Sequence, residues 1–267
     1  MTSALVSILI PNYKTPELTK LCLRLIRKHT DPQLAKVIVV DNDSQDESLS
    51  YLKHLPWIHL IERPRIPNEP PVMSHARALD LALTQVNTPY VLSIHTDTLI
   101  KHPQWLSFLL KQIENHPTVA GVGSWKLEAK PWHKRLLKQL ERFILENYRH
   151  LTKNTKPVGE DYHYLRSHCA LYRMDLIKKY QLSFADSEQV AGKLMHKKLV
   201  DLGYEMKFLP SETLGQYLDH INHATTLLNP EFKDTIRRNR NTELRRMEKR
   251  LQGLGSREIL ENGGLDC

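Results

Sequence analysis

The stretch Val91-Leu92-Ser93-Ile94-His95-Thr96-Asp97-Thr98 decides the fold, because an apolar run ends there in a short polar cluster around one carboxylate. Such a run predicts a buried strand, and Pro103-Gln104-Trp105 soon after it predicts the start of a helix. This order places Asp97 at the carboxyl edge of a parallel sheet, where open α/β folds bind ligands. An exposed carboxylate there suits a divalent cation or a sugar hydroxyl. The alternative is that Asp97 starts a turn or caps the next segment.

The same alternation runs through the first half of the chain. Apolar, β-branched runs predict strands at 5–10, 36–40, 58–61, 90–94 and 119–123. Helical patterns lie between them, including one over 74–83 and one over 103–114, and a loop rich in proline is predicted over 62–71. Strands that alternate with helices specify right-handed crossovers, so we expect an α/β fold with a mostly parallel Rossmann-like sheet and flanking helices.

The alternation breaks at Trp125. A basic helical insertion is predicted over 126–160, and the sheet resumes over 161–228 with a helix at 189–202 and a strand at 205–209. A basic helical tail then fills 229–267. We therefore expect one domain over 1–228 and a separate C-terminal tail.

The composition is that of an ordinary globular protein. Of 267 residues, 40% are hydrophobic and 25% charged, and the three cysteines have no metal-like spacing, which favours a reducing compartment. No apolar run reaches the roughly 20 residues that span a bilayer, and the N-terminus lacks a signal-peptide pattern, so the expected location is cytoplasmic.

The net charge of +8 is concentrated in two segments. Between Lys126 and Lys156, nine Lys or Arg residues accompany three Asp or Glu, and between Glu231 and Gln252 eight Lys or Arg accompany four Asp or Glu. In the segment Lys130 to Leu151 the basic residues lie opposite an apolar stripe, which suits an anionic membrane surface or a partner helix. The alternative is that the stripe packs on the domain. A nucleic-acid-binding protein would interleave aromatic with basic residues, so nucleic acid is not the expected partner.

Three polar segments follow predicted strands at one sheet edge. They are Pro11-Asn12-Tyr13, Asp41-Asn42-Asp43-Ser44 and His95-Thr96-Asp97. Because the carboxyl ends of parallel strands share an edge, these segments can converge on one ligand.

These segments belong to a set of short motifs. The set consists of VSILIPNY at 6–13, VVDNDSQD at 39–46, SHARALD at 74–80, HTDT at 95–98 and LGY at 202–204. Together they resemble the family 2 inverting glycosyltransferases, which have the GT-A, or nucleotide-diphospho-sugar transferase, fold. The resemblance covers residues 4–125 closely and 165–225 loosely.

The resemblance implies transfer of a sugar, with inversion, from a UDP- or GDP-linked donor to an acceptor hydroxyl. Residues 1–125 would form the nucleotide-binding half and 161–228 the acceptor half. The donor-binding residues implied by the matching motifs are Pro11, Asn12, Tyr13, Asp41, Asp43, Arg77 and His95. A carboxylate such as Asp41 can accept hydrogen bonds from a base imide or from ribose hydroxyls. The alternative is that Asp41 and Asp43 cap the next helix.

The resemblance also implies a metal. The family's Asp-x-Asp stands here as His95-Thr96-Asp97, and Asp97 occupies the position that contacts the metal on the diphosphate. Mn²⁺ or Mg²⁺ would fit oxygen ligands, and Mn²⁺ would also accept a histidine nitrogen. His95 either contacts the donor or packs. Relatives often place another ligand after the last strand, where His223 fits better than His220, although the sequence does not separate them.

The general base that inversion requires is harder to place. The family's acidic pair falls on Ala191-Gly192, so Asp186 and Glu188, slightly upstream, are the candidates, with Asp161 as a third. Asp186 or Glu188 could equally be a helix N-cap. We expect an enzyme of surface polysaccharide or glycolipid synthesis acting on a glycan or lipid-linked acceptor. Loss of the acidic pair keeps open a catalytically inactive nucleotide-sugar-binding module.

Overall fold

The residues described in the computed structural model form a central sheet of seven strands. The structure describes residues 4–125, 127, 163–186, 190–221, 224–229 and 240–267. The strands are β1 (Val6–Asn12), β2 (Ala35–Asp41), β3 (Ile58–Glu62), β4 (Tyr90–Ile94), β5 (Thr98–Ile100), β6 (Val119–Gly123), β7 (Cys169–Arg173), β8 (Glu205–Phe208) and β9 (Leu218–His220). The order across the large sheet is β3-β2-β1-β4-β7-β6-β8, and β5 pairs with β9. Among these strands of the large sheet β7 alone runs antiparallel to its neighbours, so the predicted mostly parallel sheet is confirmed.

Helices flank the sheet. They are α1 (Pro16–His29), α2 (Glu47–Lys53), α3 (Pro71–Leu83), α4 (Trp105–Lys111), α5 (Met174–Lys179), α6 (Lys193–Asp201), α7 (Ser211–Leu214), α8 (Ala224–Leu228), α9 (Arg240–Gly253) and α10 (Ser256–Glu261), followed by a 3₁₀ turn at Gly263–Asp266. The predicted helix at 74–83 begins three residues earlier, because Pro71 at its first turn fits a helix start. The predicted helix at 103–114 is shorter at both ends.

Two apolar layers hold the sheet between the helices. Successive residues of a strand point to opposite faces, so Ile8 and Ile10 pack toward α1 while Leu9 packs toward α3. All seven residues of β1 are buried, as expected for a strand covered on both faces.

The C-terminal residues from α10 onward pack against α1. Arg24 of α1 is buried, pairs with Asp266 and donates to the carbonyls of Ile259 and Leu260. The described part of the tail is therefore helical, as predicted, and is fixed to α1. The division into a domain at 1–228 and a tail at 229–267 remains a prediction, and the insertion at 126–160 lies, except for Leu127, outside the described residues. In the part of the chain that the structure describes, no helix has the length and apolar character to cross a membrane.

Candidate functional site

Asp41 lies at the tip of β2 inside a closed hydrogen-bond network. Asn12 Nδ2 and Ser44 Oγ donate to Asp41 Oδ1, each at 2.6 Å, and the Ser44 backbone N–H donates to Oδ2 at 3.0 Å. The register that pairs Asn12 with Asp41 across β1 and β2 puts these groups side by side. Asp46, and not Asp41 or Asp43, caps α2 by accepting from the Ser48 backbone N–H. Asp41 therefore fixes the loop between β2 and α2.

A cavity of about 230 Å³ opens beside this network. Its lining includes Pro11, Asn12, Tyr13 and His95, four of the residues predicted to bind the donor. Asp41 lies behind Asn12 and is not part of the lining. The strand-tip segments thus meet at one cavity, as their positions in the sequence predicted.

The loop between β3 and α3 forms another wall of the cavity through a set of ion pairs. The Glu69 side chain is 4% exposed. Arg63 Nη2 donates to both of its carboxylate oxygens, at 2.7 and 2.8 Å, and Arg77 Nη1 donates to Glu69 Oε1 at 2.8 Å. Burial opposes ionisation of Glu69, but the hydrogen bonds from Arg63 and Arg77 hold its pKa below the ordinary value. Arg63 also donates to Asn42, which lines the cavity. Arg77, predicted to contact the donor, therefore acts here on the loop.

His95, Asp97 and His220 come together just beyond β4. Asp97 Oδ1 lies 3.2 Å from His220 Nε2 and 3.8 Å from His95 Nδ1. The pairing of β5 with β9 produces this proximity, because Thr98 is opposite His220 and the Ile221 backbone N–H donates to the Asp97 carbonyl. His223, the preferred sequence candidate, lies outside the described residues.

Two atoms of this cluster are buried without a hydrogen-bond partner among the described residues. They are Asp97 Oδ1 and His220 Nδ1. A buried polar atom without a partner costs free energy, about 1–3 kcal/mol, and commonly marks a position where a ligand or ion binds.

Further imidazoles surround His95. Ser167 Oγ lies 2.9 Å from His95 Nε2 and 3.1 Å from His75 Nε2, while His168 stacks on His220 with ring centroids 4.5 Å apart. Burial, followed by the neighbouring histidines and Arg166, lowers the pKa of His95 well below its usual value. Burial likewise lowers the pKa of His75 to about 4. The rings of His95 and His75 are therefore neutral at pH 7.

The donor set fits a divalent cation. One carboxylate oxygen and two imidazole nitrogens lie within 4.8 Å of one another. Because Ser167 engages Nε2 of His95, Nδ1 remains for a metal, which is the arrangement of oriented histidine ligands. The predicted divalent metal cofactor is supported, with nitrogen ligands favouring Mn²⁺ over Mg²⁺.

Comparison with known proteins identifies the family. The family model described as "Glycosyl transferase family 2" matches residues 7–181. The chain belongs to this family. No curated protein matches its sequence significantly.

Three solved structures of glycosyltransferases share the fold. Mannosyltransferase PcManGT from Pyrobaculum calidifontis, in complex with GDP-Man and Mn²⁺, is 19% identical with a TM-score of 0.54, over 78% of this chain and 55% of its own. Residues 1–349 of TarS from S. aureus are 15% identical with a TM-score of 0.53, over 90% of this chain and 68% of that one. Glucosyl-3-phosphoglycerate synthase from Mycobacterium tuberculosis, in complex with phosphoglyceric acid, is 17% identical with a TM-score of 0.51, over 79% of this chain and 75% of its own. This family 2 chain thus spans about half the length of the mannosyltransferase, and these likenesses establish the fold alone.

The place of the family's acidic pair is occupied by other residues in this member. Ala191 is buried, and Gly192 has φ +75°, a left-handed conformation that favours glycine. Asp186 is partly buried and pairs with Lys198 of α6. Glu188 and Asp161 lie outside the described residues.

Sequence reasoning did not single out His75, Ser167 or His168. His75 stands inside a matched motif, but with 14 histidines in the chain no spacing marks it as part of a cluster. Ser167 and His168 reach the site because β7 turns antiparallel beside β4, a pairing that periodicity does not reveal.

Proposed function

We propose that this protein transfers a hexosyl group, with inversion, from a UDP- or GDP-linked sugar to an acceptor hydroxyl with the help of a divalent metal. The observation that carries the proposal is Asp97 Oδ1, which is buried between His95 and His220 without a hydrogen-bond partner among the described residues, next to the cavity that His95 lines. Family membership supports sugar transfer. The GDP-Man and Mn²⁺ bound to the Pyrobaculum mannosyltransferase support this donor class.

The donor would lie with its nucleoside on the strand tips and its diphosphate toward Asp97. The residues that we assign to nucleotide binding are Pro11, Asn12, Tyr13, Asp41, Asp43, Arg77 and His95. Asp41 contributes by holding Asn12 and the β2–α2 loop, and Arg77 by holding the Glu69 loop. Asp97, with His95 and either His220 or His223, would hold the metal, which supplies charge neutralisation at the leaving diphosphate.

The acceptor proton requires a base, and Asp186 and Glu188 remain our candidates. Asp186 would have to release Lys198 before it could accept a proton. Loss of base catalysis costs ~10²–10⁴-fold in rate, so a double Ala variant that retains donor binding but loses transfer would support the assignment. Full activity in that variant would move the role to Asp161.

We further propose a glycan or lipid-linked acceptor, a role in surface polysaccharide or glycolipid synthesis, and a cytoplasmic location with peripheral contact to anionic membrane. The basic stripe at 130–151, which lies outside the described residues, supports membrane contact because each Lys or Arg near anionic headgroups contributes about 1 kcal/mol. Co-sedimentation with anionic vesicles should weaken as salt rises and when Lys134, Arg135 and Lys138 become Glu. Absence of binding at low salt would leave a soluble acceptor.

The direct test of the function measures donor turnover and metal-dependent binding. Thermal shift with UDP or GDP should show stabilisation that increases with Mn²⁺, since a ligand that binds the native state raises its stability. The purified protein should also release nucleoside diphosphate from a nucleotide sugar. Asp97→Asn should abolish both effects, while Asp201→Asn, which changes an exposed carboxylate, should abolish neither.

One observation favours a second candidate, a nucleotide-sugar-binding module without catalysis. Where the family carries two acids, this chain has Ala191 and Gly192. Metal-dependent nucleotide binding without turnover of any UDP- or GDP-linked sugar would select this candidate.

A further inference from the structure

Arg166 lies at the edge of the histidine cluster, and no carboxylate among the described residues pairs with it. Its backbone N–H donates to the carbonyl of Ser124 at 3.1 Å, which ties it to the end of β6. The next residue, Ser167, contacts His75 and His95. Arg166 is therefore one residue away from the group that orients a candidate metal ligand.

Aromatic rings hold the Arg166 side chain. The guanidinium carbon lies 4.5 Å from the centroid of Trp125 and 6.0 Å from that of Tyr164. Contact with the face of an aromatic ring restrains the plane of an arginine. Arg166 also forms a side-chain hydrogen bond with Tyr164, and its other N–H groups remain for a ligand. The side chain is thus oriented before any ligand arrives.

The charge of Arg166 is not compensated within the described part of the chain. Its Nε atom is buried and has no hydrogen-bond acceptor there, and no described carboxylate forms an ion pair with it. By contrast, Arg24, Arg63 and Arg250 each pair with a carboxylate. A buried N–H donor without an acceptor costs free energy, and because this donor belongs to a cation, it indicates that an anionic group completes the site.

The positive charge also acts on the cluster itself. After burial and the neighbouring histidines, Arg166 contributes to lowering the pKa of His95 and of His168. A metal at Asp97 would add further positive charge. An anionic group between the two would be attracted by both.

We propose that Arg166 binds a phosphate or carboxylate group of the acceptor, so that the acceptor is an anionic molecule. The inference rests on the proposed function and narrows its acceptor class. The planar guanidinium matches either anion with two parallel hydrogen bonds. The donor diphosphate is the other source of the same chemistry, and the experiment separates the two.

The test measures three ligands by calorimetry: a nucleoside diphosphate with Mn²⁺, glycerol 3-phosphate, and glycerol as the neutral counterpart. Glycerol 3-phosphate is titrated with and without nucleotide, so that its affinity can be measured even if the nucleotide does not bind. The variants are Arg166→Gln, which removes the charge, Arg166→Lys, which keeps it without the fork, and Arg257→Gln as an exposed control. Circular dichroism and thermal unfolding establish that each variant folds, and Arg166→Lys keeps the test valid if Arg166→Gln does not.

The wild type should bind glycerol 3-phosphate and not glycerol. Arg166→Gln should weaken glycerol 3-phosphate binding by about 10- to 100-fold, with a smaller loss in Arg166→Lys, since hydrogen bonds to charged groups are the strong ones. Nucleoside diphosphate affinity should stay the same. A loss confined to the nucleotide would assign Arg166 to the donor diphosphate and overturn the proposal. Equal glycerol 3-phosphate affinity in wild type and Arg166→Gln, or none in either, would also overturn it.

Discussion

Asp41 and Asp97 stand at the same edge of the sheet, on either side of β1, and their surroundings are opposite. Asp41 is 1% exposed, and each of its oxygens accepts a hydrogen bond from the protein. Asp97 is 5% exposed, yet its Oδ1 accepts none among the described residues and faces two imidazoles. Asp41 stabilises the loop between β2 and α2, whereas Asp97 has an oxygen atom available to bind a ligand.

This contrast separates positioning from binding. Removal of Asp41 should mainly damage the fold around the cavity, because partners buried with it would be left unpaired. Removal of the charge at Asp97 should leave the fold intact and damage the chemistry, because the missing partner is a ligand. Stability and activity should therefore respond in opposite order to the two substitutions.

The largest effect is expected for Asp97→Asn. An amide is a poor ligand for a hard cation, so transfer or donor hydrolysis should fall by ~10²-fold or more. The unfolding midpoint without metal should stay close to that of the wild type, while the stabilisation by Mn²⁺ should vanish. Turnover equal to wild type in saturating Mn²⁺ would remove Asp97 from the metal site.

Asp41→Ala should reverse this pattern. The unfolding free energy should fall by about 1–3 kcal/mol, because the Ser44 backbone N–H loses its acceptor and Asn12 Nδ2 keeps only the hydroxyls of Ser44 and Ser48. Nucleoside diphosphate binding should weaken by a comparable ~1–3 kcal/mol as the loop shifts. Denaturant unfolding and calorimetry measure the two effects. Unchanged nucleotide affinity would show that Asp41 has no part in donor binding.

The sequence predicted the location of this edge better than the chemistry of each residue on it. Apolar, β-branched runs separated by helical patterns were enough to predict β1, β2, β4 and the convergence of their tips, because parallel strands end at one edge. It could not distinguish Asp41 from Asp97, since hydrogen-bond satisfaction depends on groups such as Asn12 and His220 that are remote in sequence. The cluster around His95 required the β5–β9 and β4–β7 pairings, which are set by tertiary contacts and leave no periodic signal.

A smaller effect should follow from substitution of Arg250, which connects α9 to the candidate metal ligand His220. Arg250 of α9 donates to Asp219 Oδ1 and, at 3.1 Å, to the carbonyl of His220. Asp41 has all its support close by, whereas His220 depends on this distant helix. Arg250→Met should weaken Mn²⁺ binding by ~10-fold, as loss of outer-shell partners does, with partial rescue in Arg250→Lys. Arg257→Gln serves as the control, and identical Mn²⁺ affinity in wild type and Arg250→Met would contradict the coupling.

The smallest expected effect is a loss of folding stability at low pH. It bears on the comparison because buried histidines surround Asp97, whereas the Asp41 network contains none. His196 of α6 allows the test without changing a candidate ligand. Burial lowers its pKa from 6.5 to about 4. Between these pH values the imidazole is protonated in the unfolded chain and neutral in the folded protein. Stability should therefore decline as pH falls from about 6.5 toward 4, and His196→Asn, which can still accept from the Leu165 backbone N–H, should flatten that decline. The change should be on the order of 1 kcal/mol between the two pH values, measured by urea unfolding against an exposed His59→Asn control. An equal slope in wild type and His196→Asn would place the acid sensitivity elsewhere, with the histidines around Asp97 as the next groups to replace.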